Sequence, residues 1–273
     1  MSSYSDDFYR AAITTAYPDA VNVRKPVVSG GVSPVFLCDT KTNTVVCRFS
    51  KPEIIFHNND VSNLLKSYSV PVPTTSVHSF LDVWFESYSY CPSATLHERI
   101  AAGMPDKDIF DVYKQAIDVQ HKISGIPASL FSPPYGRHMS EVFATTQAMR
   151  VCDPLAKLYG ATHRLFSDRG EMRLLHNDIY SKNILVCDDG KLDCLIDLDA
   201  VALCNESFSV LLALRMYPLN NYREYMDCYE DTMRRKLNRV AIENGLKILK
   251  AIRGPQLMLN KMFWRGYNKP AGR

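Results

Sequence analysis

Apolar and polar residues alternate in short runs over roughly the first third of the chain, which predicts β-strands. An amphipathic segment comes first, and residues 1 to about 24 are expected to form a short helix. The strands expected next are 26–36 (two strands around a turn), 44–49, 76–80 and 83–88, with a helix at 58–68 after the third. Val70-Pro-Val-Pro73 ends that helix, because proline cannot continue it. The pattern predicts a small antiparallel sheet with one inserted helix.

The remainder of the chain has mainly helical spacing, interrupted once. Asp106 is the expected N-cap of one helix, and 139–166 and 222–252 are expected to be helical as well. The interruption at 173–196 contains two apolar runs around Asp188-Asp-Gly190, which is typical of a β-hairpin. We therefore expect an α+β protein of two lobes, with residues 1–88 as the sheet lobe, 89–93 as a connector and 94–273 as the helical lobe.

Composition and charge narrow the class of protein. The 273 residues are 46% hydrophobic and carry a formal net charge of only +3, which argues against a dedicated nucleic-acid binder. No apolar run approaches about 20 residues and the start does not resemble a secretory signal, so we expect no membrane span. The eight cysteines form no C-x-x-C pair, so we read them as free thiols in a reducing, cytoplasmic compartment.

Candidate chemistry concentrates at the two mouths of the predicted hairpin. His176 and Asp178 are followed after five residues by Asn183, and Asp197 comes directly after the second apolar run. Phosphoryl transfer needs a carboxylate that orients a hydroxyl and accepts its proton, together with oxygen ligands for Mg²⁺. A short hairpin would bring Asn183 and Asp197 to one edge, where both could bind the metal. Asp178 would then face the acceptor.

These residues give the chain its resemblance to a known family. His176-Asn-Asp-Ile-Tyr-Ser-Lys-Asn183 and Leu195-Ile-Asp-Leu-Asp199 resemble the catalytic segment of the aminoglycoside phosphotransferase and choline kinase superfamily, which has a protein-kinase-like fold. The resemblance implies Asp178 as the catalytic base and Asn183 and Asp197 as magnesium ligands. It leaves the role of Asp199 undefined and suggests that His176 braces the loop.

Earlier segments follow the same family order. The resemblance implies that the loop holding Gly30, Gly31 and Ser33 covers the phosphates of ATP and that Arg48 binds them. It also implies that the Glu86 carbonyl and the Tyr88 amide meet the adenine. The expected activity is ATP- and Mg²⁺-dependent phosphorylation of a hydroxyl on a small molecule, such as an aminoglycoside, another amino alcohol or a sugar.

Three departures from the family pattern leave alternatives open. The strand cation is Arg48 rather than lysine, and the inserted helix lacks the usual glutamate, with Asn58, Asn59 and Asp60 near its position. The expected acidic stretch of small residues after Asp199 reads Ala200-Val-Ala-Leu-Cys-Asn-Glu206 instead.

One alternative is a choline- or ethanolamine-type kinase, whose ammonium site would be built from Tyr217, Tyr222, Tyr225 and Tyr229. Another is a nucleotide-binding pseudokinase with a regulatory role. The sequence assigns neither the acceptor nor the oligomeric state.

Overall fold

A five-stranded antiparallel sheet forms the first part of the protein. The computed structural model describes residues 4–26, 33–131 and 172–248. The sheet strands are β1 Ala20–Arg24, β2 Val35–Thr40, β3 Thr44–Ser50, β4 Thr75–Phe80 and β5 Val83–Ser89. Their order is β1-β2-β3-β5-β4, and every neighbouring pair is antiparallel. The predicted antiparallel sheet is confirmed, but its first strand lies at 20–24, and most of the strand and turn expected from residue 26 onward lies outside the described residues.

Helix α1, Asp6–Ala16, covers one face of this sheet. Its N-cap Ser5 accepts a hydrogen bond from the Phe8 amide, and Tyr9 and Ile13 are buried against the sheet. The helix ends at Ala16 rather than near residue 24, because residues 20–24 form strand β1 instead. In β1 only Val23 is buried. The helical interpretation of residues 1–24 missed this strand.

Helix α2, Pro52–Ser67, joins the sheet to the rest of the molecule. It begins before residue 58, since proline is well suited to the first turn of a helix. Val61 and Leu65 face the second hydrophobic core, which is otherwise built from residues after 69. The Leu195 amide also donates to the carbonyl of Pro71 (3.0 Å). The packing therefore crosses the expected lobe boundary near residue 88.

The second core surrounds a long helix and two small sheets. The helices are α3 Leu96–Ala101, α4 Asp106–Ser124, α5 Glu206–Arg215 and α6 Tyr222–Met233, followed by a helix at 239–248. The strands are β6 Ala94–Thr95, β7 Met172–His176, β8 Ile184–Val186, β9 Leu192–Leu195 and β10 Val201–Asn205. Strands β8 and β9 form the predicted hairpin, and β6 pairs with β8. Strand β10 pairs with β7.

Several helix boundaries differ from those expected. Pro105 holds the N-cap position of α4, and Asp106 is the first helical residue, where its charge still favours the helix N-terminus. The predicted helix 222–252 is interrupted after Met233, where Arg234 adopts a positive φ of 55°. The predicted helix 139–166 lies outside the described residues. Among the described residues, no helix is both long and apolar enough to cross a bilayer.

Candidate active site

The loop between β7 and β8 brings the predicted catalytic base and one predicted metal ligand into contact. The Asn183 side-chain amide donates to the Asp178 carboxylate (Nδ2–Oδ2, 2.9 Å) and to the Asp178 carbonyl (3.0 Å). The Tyr180 carbonyl accepts the Asn183 amide (2.8 Å), which closes the loop. Five residues of spacing thus return the chain to the same point, and Asn183 fixes one oxygen of the Asp178 carboxylate.

His176 braces this loop from the buried side. Its Nδ1 accepts the Asp178 amide (3.3 Å), and its Nε2 lies 3.1 Å from the carbonyl of Ile196, to which it can donate. These partners suit the neutral imidazole with its proton on Nε2. Burial lowers the pKa of His176, which favours the same neutral form. The side chain links the loop to the hairpin and does not face the cleft.

Asp197 follows the hairpin at a backbone conformation that few residues adopt. Its φ of 63° and ψ of 65° are left-handed, which aspartate tolerates better than most non-glycine residues. The Ile196 amide donates to the Asn183 carbonyl (3.0 Å), so the hairpin fixes Asp197 relative to the catalytic loop. The Asp197 side chain is 44% exposed and opens to solvent. The structure therefore holds Asp178, Asn183 and Asp197 on one short unit.

Three carboxylates share this region and repel one another. Burial and the charge of Asp199 raise the pKa of Asp178, while Arg215 opposes the rise. Two effects raise the pKa of Asp197, desolvation and repulsion by the carboxylates of Asp199 and Asp178. The side chain is open to solvent, so a bound cation would act mainly by relieving the repulsion.

Arg48 on β3 meets the carboxylates from the other side of the cleft. Its guanidinium binds both oxygens of Asp199, with Nη1–Oδ1 at 2.8 Å, and its Nη1 also donates to Glu86 (3.1 Å). Asp197 is 3.6 Å from the same nitrogen. Burial alone would raise the pKa of Asp199, but the Arg48 charge and hydrogen bonds outweigh it and lower that pKa. Asp199 is thus an ionised partner of Arg48.

Asn58 on α2 completes this cluster. Its side-chain amide donates to Glu86 (3.0 Å) and to Asp199 (2.6 Å), and Asn58 is 2% exposed. Sequence reasoning left the role of Asp199 open and assigned neither Asn58 nor the Glu86 carboxylate to the site. The lack of a glutamate on the helix could have pointed to these residues. A buried strand cation needs an acidic partner, which must then come from elsewhere in the chain.

Searches among known proteins give matches in structure but not in sequence. A scan against protein-family models and a search of curated proteins found no match. Solved structures do match. An aminoglycoside-3'-phosphotransferase of type VIII has a TM-score of 0.67 at 14% identity, covering 90% of this chain and 97% of that one. The spectinomycin phosphotransferase APH(9)-Ia, solved with ADP and spectinomycin, has a TM-score of 0.64 at 11% identity, covering 99% and 92%.

A third structure, the GDP and kanamycin complex of an APH(2") enzyme, has a TM-score of 0.62 at 18% identity and covers 91% of this chain and 99% of that one. The chain has the aminoglycoside phosphotransferase fold. The predicted fold class is confirmed. In this aminoglycoside phosphotransferase fold, Arg48 on β3 directly contacts the acidic side chains that follow the β8–β9 hairpin.

The residues assigned to the adenine lie inside β5, and their peptide groups belong to the sheet. Glu86 and Tyr88 pair with β3 on one side and with β4 on the other. The Tyr90 amide donates to Thr44 on β3 (2.9 Å), and alternate residues of a strand point the same way. The peptide groups of Glu86 and Tyr88 therefore also face β3. The expected contacts of the Glu86 carbonyl and the Tyr88 amide with adenine do not fit this register.

The side chains of these two residues face the cleft instead. The Glu86 carboxylate binds Arg48, and the Tyr88 hydroxyl lies within electrostatic reach of the same guanidinium. An adenine edge would have to use peptide groups after Tyr88. Of the predicted phosphate loop, Gly30 and Gly31 lie outside the described residues, and Ser33 precedes β2 near the end of the sheet where Arg48 lies.

The donor atoms present fit magnesium better than a transition metal. No group of three His, Cys, Asp or Glu side chains arranged to hold a metal occurs within the described ranges. An amide oxygen of Asn183 and the Asp197 carboxylate are hard oxygen donors on one hairpin. Magnesium commonly takes only one or two protein carboxylates and fills its other positions with phosphate oxygens and water. The mutual repulsion of Asp197 and Asp199 gives an electrostatic reason for a cation there.

Proposed function

We propose that this protein transfers the γ-phosphoryl group of ATP to a hydroxyl of a small molecule, with Mg²⁺ as the metal. One observation carries the proposal: the catalytic loop and the hairpin hold Asp178, Asn183 and Asp197 together, beside the guanidinium of Arg48. A base, two oxygen ligands and a cation are the parts that phosphoryl transfer needs. The fold shared with known phosphotransferases supports the same reading.

Each residue has a separate task in this mechanism. Asp178 orients the acceptor hydroxyl and takes up its proton, and Asn183 holds one of its carboxylate oxygens so that the other can point to the acceptor. The oxygens of Asn183 and Asp197 would hold Mg²⁺. A magnesium ion held there would supply positive charge to offset that of the phosphates. Arg48 lies opposite, where its guanidinium can bind the phosphates.

The choline-type alternative gains no support from the tyrosines. Tyr225 and Tyr229 are buried in the second core. The ring of Tyr217 packs edge-on against Tyr113 and Tyr225, at centroid distances of 4.8 and 5.1 Å. Buried rings offer no open face to an ammonium group. Tyr217 and Tyr222 are only partly buried, but both pack against the same core, so we read these tyrosines as core packing.

The pseudokinase alternative rested on the absence of a helix glutamate. In the structure Arg48 has acidic partners without it, because Glu86 and Asp199 both bind the guanidinium. The departure from the family pattern therefore does not remove the charge balance of the phosphate site. This supports an active enzyme over a regulatory protein.

An acceptor screen tests the proposed function. Purified protein would be incubated with ATP, Mg²⁺ and a panel of aminoglycosides, amino alcohols and sugars, and products would be examined by mass spectrometry for an added phosphate. At least one acceptor should be phosphorylated, and Asp178→Asn should slow this reaction about 100-fold or more with little change in ATP affinity. ATP binding without transfer to any acceptor or to water would favour the pseudokinase instead.

A further inference from the structure

Arg48 and three neighbouring side chains form a closed hydrogen-bonded ring. The donors are Arg48 Nη1 and Asn58 Nδ2, and the acceptors are Glu86 Oε1 and Asp199 Oδ1. Each donor bonds to both acceptors, at 3.1 and 2.8 Å from Arg48 and at 3.0 and 2.6 Å from Asn58. The ring joins β3, α2, β5 and the segment after the hairpin.

The ring contains one guanidinium and two carboxyl groups. Burial raises the pKa of Glu86 from 4.5 to about 7, so Glu86 adds a second negative charge above that pH. In protein kinases the strand cation is paired with a glutamate on the inserted helix. Here the helix position carries the neutral Asn58, while Glu86 supplies a carboxylate from β5, directly opposite Arg48 in the sheet register. Glu86 and Asn58 are each 2% exposed, so an additional acid would be desolvated. An acid on both α2 and β5 would leave four carboxyl groups around one guanidinium, because Asp197 and Asp199 also lie against it.

We propose that Glu86 and Asn58 together position Arg48. Compared with protein kinases, the acid lies on strand β5 rather than on the inserted helix, and an amide occupies its place on the helix. Glu86 orients the guanidinium toward the phosphates. Asn58 ties α2 to Glu86 and Asp199, so the placement of the helix is linked to both sides of the cleft. This inference rests on the proposed function, because its readout is the affinity for nucleotide.

If the two residues act as a pair, Glu86→Gln should have opposite effects on Mg·ATP binding in the wild type and in Asn58→Asp. Glu86→Gln alone removes a partner of Arg48 and should weaken Mg·ATP binding about tenfold. Asn58→Asp alone adds a third acid to the ring and removes a donor, and should weaken binding at least as much. In the Asn58→Asp background, Glu86→Gln restores the original charge and should instead improve binding by about threefold or more. Coupling of this size is normal for residues in one network.

The control is the neighbouring helix residue Asn59. Its side-chain oxygen accepts a hydrogen bond from Thr75 (3.1 Å), a bond that aspartate can also accept. Asn59→Asp makes the same chemical change one residue away, outside the ring. Glu86→Gln should weaken nucleotide binding by the same factor with or without Asn59→Asp. A reversal there too would mean a general charge effect and would overturn the pair.

Nucleotide affinity would be measured by calorimetric titration of Mg·ATP, with thermal unfolding as a check on folding. If Asn58→Asp does not fold, Asn58→Ala replaces it, and Glu86→Gln should then cost less than in the wild type. Kinetics should show a raised KM for ATP with an unchanged KM for the acceptor. If Glu86→Gln weakens binding equally in both backgrounds, the inference is wrong. If the wild type binds no nucleotide, the proposed function itself fails.

Discussion

Arg48→Lys is expected to destabilise the protein far more than the same substitution at the surface. The Arg48 guanidinium serves both oxygens of Asp199 and one of Glu86, and its side chain is only 16% exposed. A lysine ammonium is a compact charge without the planar fork, so it cannot keep all three bonds. Hydrogen bonds to charged groups contribute about 1.5–3 kcal/mol each. Losing one or two of them should lower the free energy of unfolding by about 2–4 kcal/mol.

Arg24→Lys is the matched control. Arg24 also pairs with an aspartate, Asp39, but its side chain is 46% exposed and the bonds are longer, at 3.3 and 3.5 Å. An exposed ion pair contributes at most about 1 kcal/mol. Thermal unfolding of both variants would show a Tm loss of roughly 5–15 °C for Arg48→Lys and under about 3 °C for Arg24→Lys. Equal losses would refute the account of the Arg48 cluster.

Two further predictions concern groups whose pKa values are shifted. Hydrogen bonds from Arg239 lower the pKa of Glu230 from 4.5 to about 2, so its stabilising effect is present above pH 4.5 and is lost as the pH falls toward 2. Urea unfolding should therefore show wild type more stable than Glu230→Gln by about 1–3 kcal/mol at pH 7, and a difference that persists unchanged to pH 2 would contradict this. Burial lowers the pKa of His176, so its ring resonances in NMR spectra should report protonation at a lower pH than those of an unstructured histidine peptide. Protonation at the same pH as the peptide, or at a higher one, would exclude the bracing role with Nδ1 as acceptor.

The parts of the site that could be predicted are those in which residues near in sequence are near in space. Asp178 and Asn183 lie in one loop, and a two-stranded hairpin of fixed length determines where Asp197 follows. Turn residues at 188–190 define that hairpin by local chemistry alone. The neighbouring strands β2–β3 and β4–β5 are joined by short connections of the kind that sequence indicates, whereas the pairing of β3 with β5 spans α2 and β4 and had no local signal.

The partners of Arg48 could not be predicted in the same way. Glu86 is 38 residues away and is brought opposite Arg48 by the pairing of β3 with β5, whereas Asp199 is 151 residues away and reaches Arg48 only through tertiary packing. The strand pattern showed that Arg48 and Glu86 lie on strands, but not that they are directly opposite. The adenine contacts failed for the same reason, because register decides which peptide groups are used within the sheet. Strand β1 was missed because its single buried residue, Val23, gives a weak signal.

In the proposed mechanism, Asp197 helps to hold a divalent cation beside bound triphosphate. Calorimetric titration of ATP with and without Mg²⁺ tests it directly, in wild type and in Asp197→Asn. Wild type should bind ATP at least about tenfold more tightly when Mg²⁺ is present, because the ion joins the carboxylate to the phosphates. Asp197→Asn should lose most of that difference while remaining folded. An unchanged magnesium dependence in Asp197→Asn would contradict the account.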